Sequence, residues 1–160
     1  MSAFETAVPA LDFPPMKMDR RGDALEIVRE IPATPERVFR ALTEPEELMK
    51  WWGGKGMLTS ARTNLRPGGE YRFDFLSPEG DAAWVKGQYQ VVEPSRRIVK
   101  TWFNSKFPDL RNTVELRLDP VPAGTRLTLV HSGLKDRPEA SQDYQKGWPE
   151  VLGYLEKVGT

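Results

Sequence analysis

Apolar and polar residues alternate most plainly where Tyr71, Phe73 and Phe75 interleave with Glu70, Arg72 and Asp74. A period of two puts the two sets on opposite faces of a strand, one buried and one wet. The same logic predicts a strand over 23–31, where Leu25, Ile27 and Ile31 share a face, and others at 57–65, 82–92, 96–103, 112–119 and 125–132. Arg29 falls on the apolar face of the first strand and is expected to pair with a carboxylate near the strand's end. Turn residues separate these runs at Pro67-Gly68-Gly69, Ser77-Pro78-Glu79-Gly80, Glu93-Pro94-Ser95, Pro108-Asp109 and Pro120-Val121-Pro122-Ala123-Gly124. Connections this short exclude parallel crossovers, so the strands form an antiparallel meander.

Helical spacing appears in two places. Thr34 followed by Pro35 offers an N-cap and a proline at the first helical position, ahead of the apolar stripe Val38, Phe39, Ala41 and Leu42. Pro45 cannot continue that helix, and a second short one restarts there, carrying Leu48, Met49, Trp51 and Trp52 until Gly53, Gly54 and Gly56 end it. From about Pro138 to Val158, Tyr144, Trp148, Val151, Leu152 and Leu155 line one helical face, with Pro149 expected to kink the helix near Gln145 to Trp148. The pattern as a whole predicts an α+β domain over 23–158: a curved seven-stranded antiparallel sheet around a long C-terminal helix, with two short helices after the first strand. One helix covers only part of such a sheet, which leaves room for a cavity.

Residues 1–22 carry Pro9, Pro14 and Pro15, a basic pair at Arg20 and Arg21, and no periodicity, and read as a flexible leader. The alternative is that Leu11, Phe13 and Met16 pack onto the domain or a partner.

Composition narrows the function. The 160 residues suit one domain. Lysines and arginines number 23 and acidic residues 23, so no global field favours nucleic acid or an anionic membrane. No run of about eighteen apolar residues marks a membrane span, and no basic and apolar signal opens the chain. The absence of cysteine removes disulfide and thiolate chemistry and suits a reducing cytoplasm. With a single histidine as well, no ordinary zinc site can be assembled, and no metal or cofactor is expected.

Candidate chemistry rests on aromatics. Five tryptophans, four tyrosines and seven phenylalanines as a set suit an apolar pocket with a few polar handles, although each ring taken singly is better explained by core packing. His131 follows Leu127 and Leu129 at alternating positions and is expected to face inward, as a hydrogen-bonded core residue or as a proton-transfer group. No Gly-x-Ser-x-Gly nucleophile elbow accompanies it. Gly53-Gly54-Lys55-Gly56 follows a helix and lacks the remainder of a P-loop, so it reads as a flexible linker, and Lys50, Lys55, Arg62 and Arg66 read as solvated surface. The expected ligand-binding set is Trp52, Tyr71, Phe73, Trp84, Trp102, His131 and Trp148. Within it, Trp84 shares a strand face with Lys86, Gln88 and Gln90, and Trp102 shares one with Lys100, so a register error would turn both outward.

The order of motifs resembles a known family. The run from Arg29 through Pro45, then Trp51-Trp52-Gly53, Arg66-Pro67-Gly68-Gly69-Glu70-Tyr71-Arg72-Phe73, Gly87-Gln88-Tyr89, Glu93-Pro94-Ser95-Arg96-Arg97-Ile98, Thr101-Trp102, Leu127-Thr128-Leu129-Val130-His131-Ser132-Gly133, and Gly147-Trp148 with Leu152 and Tyr154-Leu155 are similar to domains like the C-terminal domain of the heat-shock-protein-90 ATPase activator. The resemblance implies the START-like, birch-pollen-allergen-like helix-grip fold, whose members hold hydrophobic ligands between sheet and helix. It implies a stand-alone domain binding a small apolar or aromatic molecule; the sequence leaves monomer or homodimer open. Relatives that are cyclases or hydrolases suggest an enzyme using His131 as the alternative, and the family's name suggests a chaperone-interacting module that stimulates an ATPase.

Overall fold

The structure is a computed structural model that describes residues 16–52, 57–77 and 79–158. Eight strands form one antiparallel sheet: β1 (Met16–Met18), β2 (Leu25–Ile31), β3 (Leu58–Thr63), β4 (Glu70–Leu76), β5 (Ala82–Glu93), β6 (Arg97–Asn104), β7 (Phe107–Val121) and β8 (Gly124–Ser132), in the order β1-β2-β8-β7-β6-β5-β4-β3. The helices are α1 (Pro35–Thr43), α2 (Pro45–Trp51) and α3 (Pro138–Leu155).

Every predicted element is present, and two readings are corrected. The strands number eight rather than seven, because Met16–Met18, expected in the loose leader, pairs with Leu25–Ile27 of β2 and buries Met16. Three residues lack a visible period, but the free edge of β2 supplies hydrogen-bond partners and an apolar seat. Leu11 and Phe13 lie outside the described residues, as does the glycine stretch 53–56. The second correction concerns Pro108-Asp109, which belong to β7. The turn is Ser105-Lys106, where Asn104 Oδ1 accepts a hydrogen bond from the Lys106 amide at 3.0 Å. Pro108 is tolerated because the β6–β7 register is irregular between Trp102 and Asn104.

Local chemistry explains the rest. The Thr34 hydroxyl accepts from the Arg37 amide at 3.2 Å and Pro35 opens α1, while Trp51 Nε1 donates to the Ala41 carbonyl and ties α2 back onto α1. Arg29 meets Glu156 just beyond α3 at 3.2 Å, the pairing expected of a cation on an apolar strand face. Pro149 sits inside α3 without interrupting the assigned helix. The inner face of α3, from Ala140 and Tyr144 through Trp148 to Leu152 and Leu155, packs on the apolar face of the sheet and encloses the core.

Candidate functional site

Period-two alternation delivers Tyr71 and Phe73 from β4, Trp102 from β6 and His131 from β8 to the face that α3 covers. Trp148 comes down from α3, and Trp52, capping α2, closes the side. All six are buried and their rings form one continuous assembly: Trp52 to Phe73 at 5.0 Å, Trp102 to Trp148 at 5.3 Å, Trp52 to Trp148 at 6.2 Å and Trp102 to His131 at 5.9 Å between centroids. Tilted and edge-on contacts of this kind are the favoured aromatic geometries.

Trp84 is not part of this assembly. It occupies the opposite face of β5 from Val85 and Tyr89, and its half-exposed ring takes Lys86 Nζ at 4.7 Å and the Arg72 guanidinium at 5.4 Å. The register that turns Trp102 inward turns Trp84 outward, and cation–π contacts satisfy it there.

His131 is fully buried, and its Nδ1 accepts a hydrogen bond from Trp148 Nε1 at 2.9 Å. An indole nitrogen only donates, so the imidazole carries its proton on Nε2, and that N–H has no partner among the described residues. Burial lowers the His131 pKa to about 3, so the ring stays neutral at ordinary pH. The Tyr144 ring lies 4.2 Å from the imidazole, and its hydroxyl approaches Trp102 Nε1 without completing a hydrogen bond.

The pattern of residues hid a buried cation. Lys100 is 3% exposed, and its Nζ stands 4.4 Å from the ring of Tyr71, 5.2 Å from Phe73 and 5.5 Å from Trp102. Burial alone lowers its pKa to about 7, with no neighbouring carboxylate opposing the shift. The signal was the alternation Ile98, Lys100, Trp102, in which a lysine on a face shared with tryptophan argued against the face being buried. The registers extend the picture, because Tyr89, Lys100, Val114 and His131 stand directly opposite one another across β5, β6, β7 and β8. The Tyr89 hydroxyl is also buried without a partner.

Gly87 makes this packing possible. Tyr71 leans over it so that its hydroxyl donates to the Thr101 carbonyl at 2.7 Å, and a Cβ on Gly87 would lie 2.1 Å from that same oxygen.

A cleft of about 500 Å³ opens beside the aromatic assembly. Trp52, Val85, Trp102 and Trp148 contribute its apolar wall, and Lys106, Asp143, Lys146 and Glu150 its charged rim. Lys106 bridges the mouth to Asp143 on α3 at 2.7 Å. A larger concavity of about 900 Å³ lies on the outer face of the sheet among Arg62, Arg66, Arg72, Lys86 and Arg111. It is polar and open, whereas the smaller cleft adjoins the tryptophans and suits an apolar ligand. Among the described residues no three histidine or acidic side chains gather as a metal site, and no helix is long and apolar enough to cross a membrane.

A single antiparallel sheet closed by a long C-terminal helix, with an aromatic-lined interior, defines a helix-grip protein. The chain belongs to the Activator of Hsp90 ATPase homolog 1-like family, whose sequence pattern matches residues 32–159. A solved structure from Nitrosomonas europaea is 28% identical, with a TM-score of 0.74 over 88% of this chain and 96% of that one. One from Rhodobacter sphaeroides is 26% identical, with a TM-score of 0.74 over 89% and 93%. The chain is also 26% identical over 126 residues to a translation initiation factor IF-2 from an Anaeromyxobacter species, and spans only 13% of that protein's length.

Proposed function

We propose that this domain binds a small apolar or aromatic molecule between the sheet and α3. The observation that carries this reading is the aromatic wall of Trp52, Trp102 and Trp148 at the cleft, backed by buried polar groups on Tyr89 and His131 that no atom of the described residues satisfies. Buried polar groups are normally paired, and an unpaired set behind an apolar wall fits an interior that receives a guest.

The enzyme alternative fits the site less well. His131 has its Nδ1 occupied by Trp148, and a pKa of about 3 makes it a poor base near neutrality. Stimulation of a chaperone's ATPase rests on the family's description alone.

The test uses the indole N–H signals in proton–nitrogen correlation spectra of the full chain, titrated with naphthoate and with naphthalenemethanol. At least one probe is expected to shift Trp52, Trp102 and Trp148 saturably while Trp84, on the outer face, stays in place. No saturable shift with either probe, or shifts confined to Trp84, would overturn the proposal.

A further inference from the structure

We infer that the ligand is an aromatic carboxylate, its anionic head seated on Lys100 between Tyr89 and His131 and its ring against Trp102. The inference rests on the preceding reading of the interior as a ligand site and adds the ligand's charge.

The donor and acceptor inventory points this way. Lys100 Nζ can offer up to three N–H donors, and beside it His131 Nε2–H, Trp102 Nε1–H and the hydroxyls of Tyr89 and Tyr144 are buried with no hydrogen-bond partner among the described residues. No unpaired carbonyl or carboxylate side chain appears among the buried groups of this row. Glu47, the buried acid among the described residues, belongs to the α1–α2 corner, where Lys50 and Arg37 hold it at 2.8 Å and 2.7 Å. An interior with donors in excess and one cation is complementary to an anion with several lone pairs, which a carboxylate supplies.

Placement agrees with inventory. Strands lie about 4.8 Å apart, so Lys100 and His131, separated only by Val114, stand roughly 10 Å apart at the backbone. Val114 offers no polar atom, so within the row the polar atoms are those of Tyr89, Lys100 and His131. The rings of Tyr71, Phe73 and Trp102 attend the ammonium through their faces, which compensates it only in part. Trp102 lines the cleft and lies 5.5 Å from Lys100 Nζ, so its indole stands between the two, and the proposed pose requires that indole to turn aside.

Protonation gives a second handle. Among the described residues, the other titratable groups around Lys100 and His131 are Tyr71 on β4, Tyr89 on β5 and Tyr144 on α3. Burial raises the tyrosines and keeps His131 neutral. Lys100 is therefore the group that changes charge between about pH 6 and pH 9.

The experiment compares naphthoate with naphthalenemethanol, which differ in the charge of the head, by titration calorimetry of the full chain and of Lys100→Met. The wild-type chain is expected to prefer naphthoate by about tenfold or more near pH 6.5. Lys100→Met is expected to abolish the preference while still binding the alcohol. Naphthoate affinity should also fall by up to about tenfold per pH unit above pH 7.5, with the alcohol unaffected. Equal affinities in the wild type, or a naphthoate preference that survives in Lys100→Met, would overturn the carboxylate and leave the aromatic site standing. Failure of both probes to bind would overturn the site and this inference together. Should Lys100→Met not fold, the wild-type preference and its pH dependence decide alone.

Discussion

At the scale of single residues, Lys100 is the costliest feature of the interior. An ammonium removed from water without a carboxylate destabilises the fold, and three aromatic faces return only part of the loss. Lys100→Met keeps the volume and removes the charge, so the unliganded protein should become more stable by about 1–3 kcal/mol near pH 7, a rise of several degrees in melting temperature. The gain should shrink near pH 9, where the wild-type lysine is already neutral. Thermal melts of both proteins at the two pH values check this, and a less stable variant would show that Lys100 supports the fold rather than a ligand. Trp84 shows the reverse case: a large aromatic is stable on the outer face because Arg72 and Lys86 cover it.

At the scale of elements, the β5–β6 pair shows how a backbone detail sets the site. The Gln88 amide donates to Thr101 Oγ1 at 2.8 Å, and the register shifts between Tyr89 and Val91. Tyr71 reaches across Gly87 to the Thr101 carbonyl. Gly87→Ala would place a methyl where that hydrogen bond runs, 2.1 Å from the carbonyl oxygen and 2.8 Å from Thr101 Oγ1. It should cost about 1–3 kcal/mol or more in urea denaturation, since overpacking and loss of the tyrosine's bond act together. A neutral substitution would mean that β5 and β6 separate freely and that the Tyr71 contact matters little. The start of α1 needs no such tertiary help, because Thr34 and Pro35 cap it from within the chain.

At the scale of the whole molecule, the buried groups set an unusual dependence of stability on pH. His131 titrates near 3 when folded against 6.5 when free, so the unfolded chain binds the extra proton between those values and stability falls as pH drops through that window. Lys100 titrates near 7 when folded against 10.5 when free, so by the same sign stability climbs from about pH 7 towards pH 10. Tyr71, Tyr89 and Tyr144 are raised above 10.0, so the folded chain retains their protons and stability falls again above pH 10. Differential scanning calorimetry of the unliganded protein should therefore find its highest melting temperature at about pH 9–10. A maximum near pH 6, with a decline by pH 9, would contradict the buried environment described for Lys100.

The sequence by itself determined every element but β1, the antiparallel connectivity, the Thr34 cap of α1 and the inward direction of Tyr71, Phe73 and His131, because periodicity and turn chemistry act over a few neighbouring residues. It also brought out the family resemblance, which the match over residues 32–159 bears out. Tertiary structure decided what depends on partners far along the chain. Met16–Met18 becomes a strand only because the edge of β2 receives it, and Trp84 and Trp102 face opposite ways because the registers of β5 and β6 are fixed by their neighbours. The row of Tyr89, Lys100, Val114 and His131 joins residues from four strands, and no local pattern discloses such a row, since cross-strand register is a property of the assembled sheet.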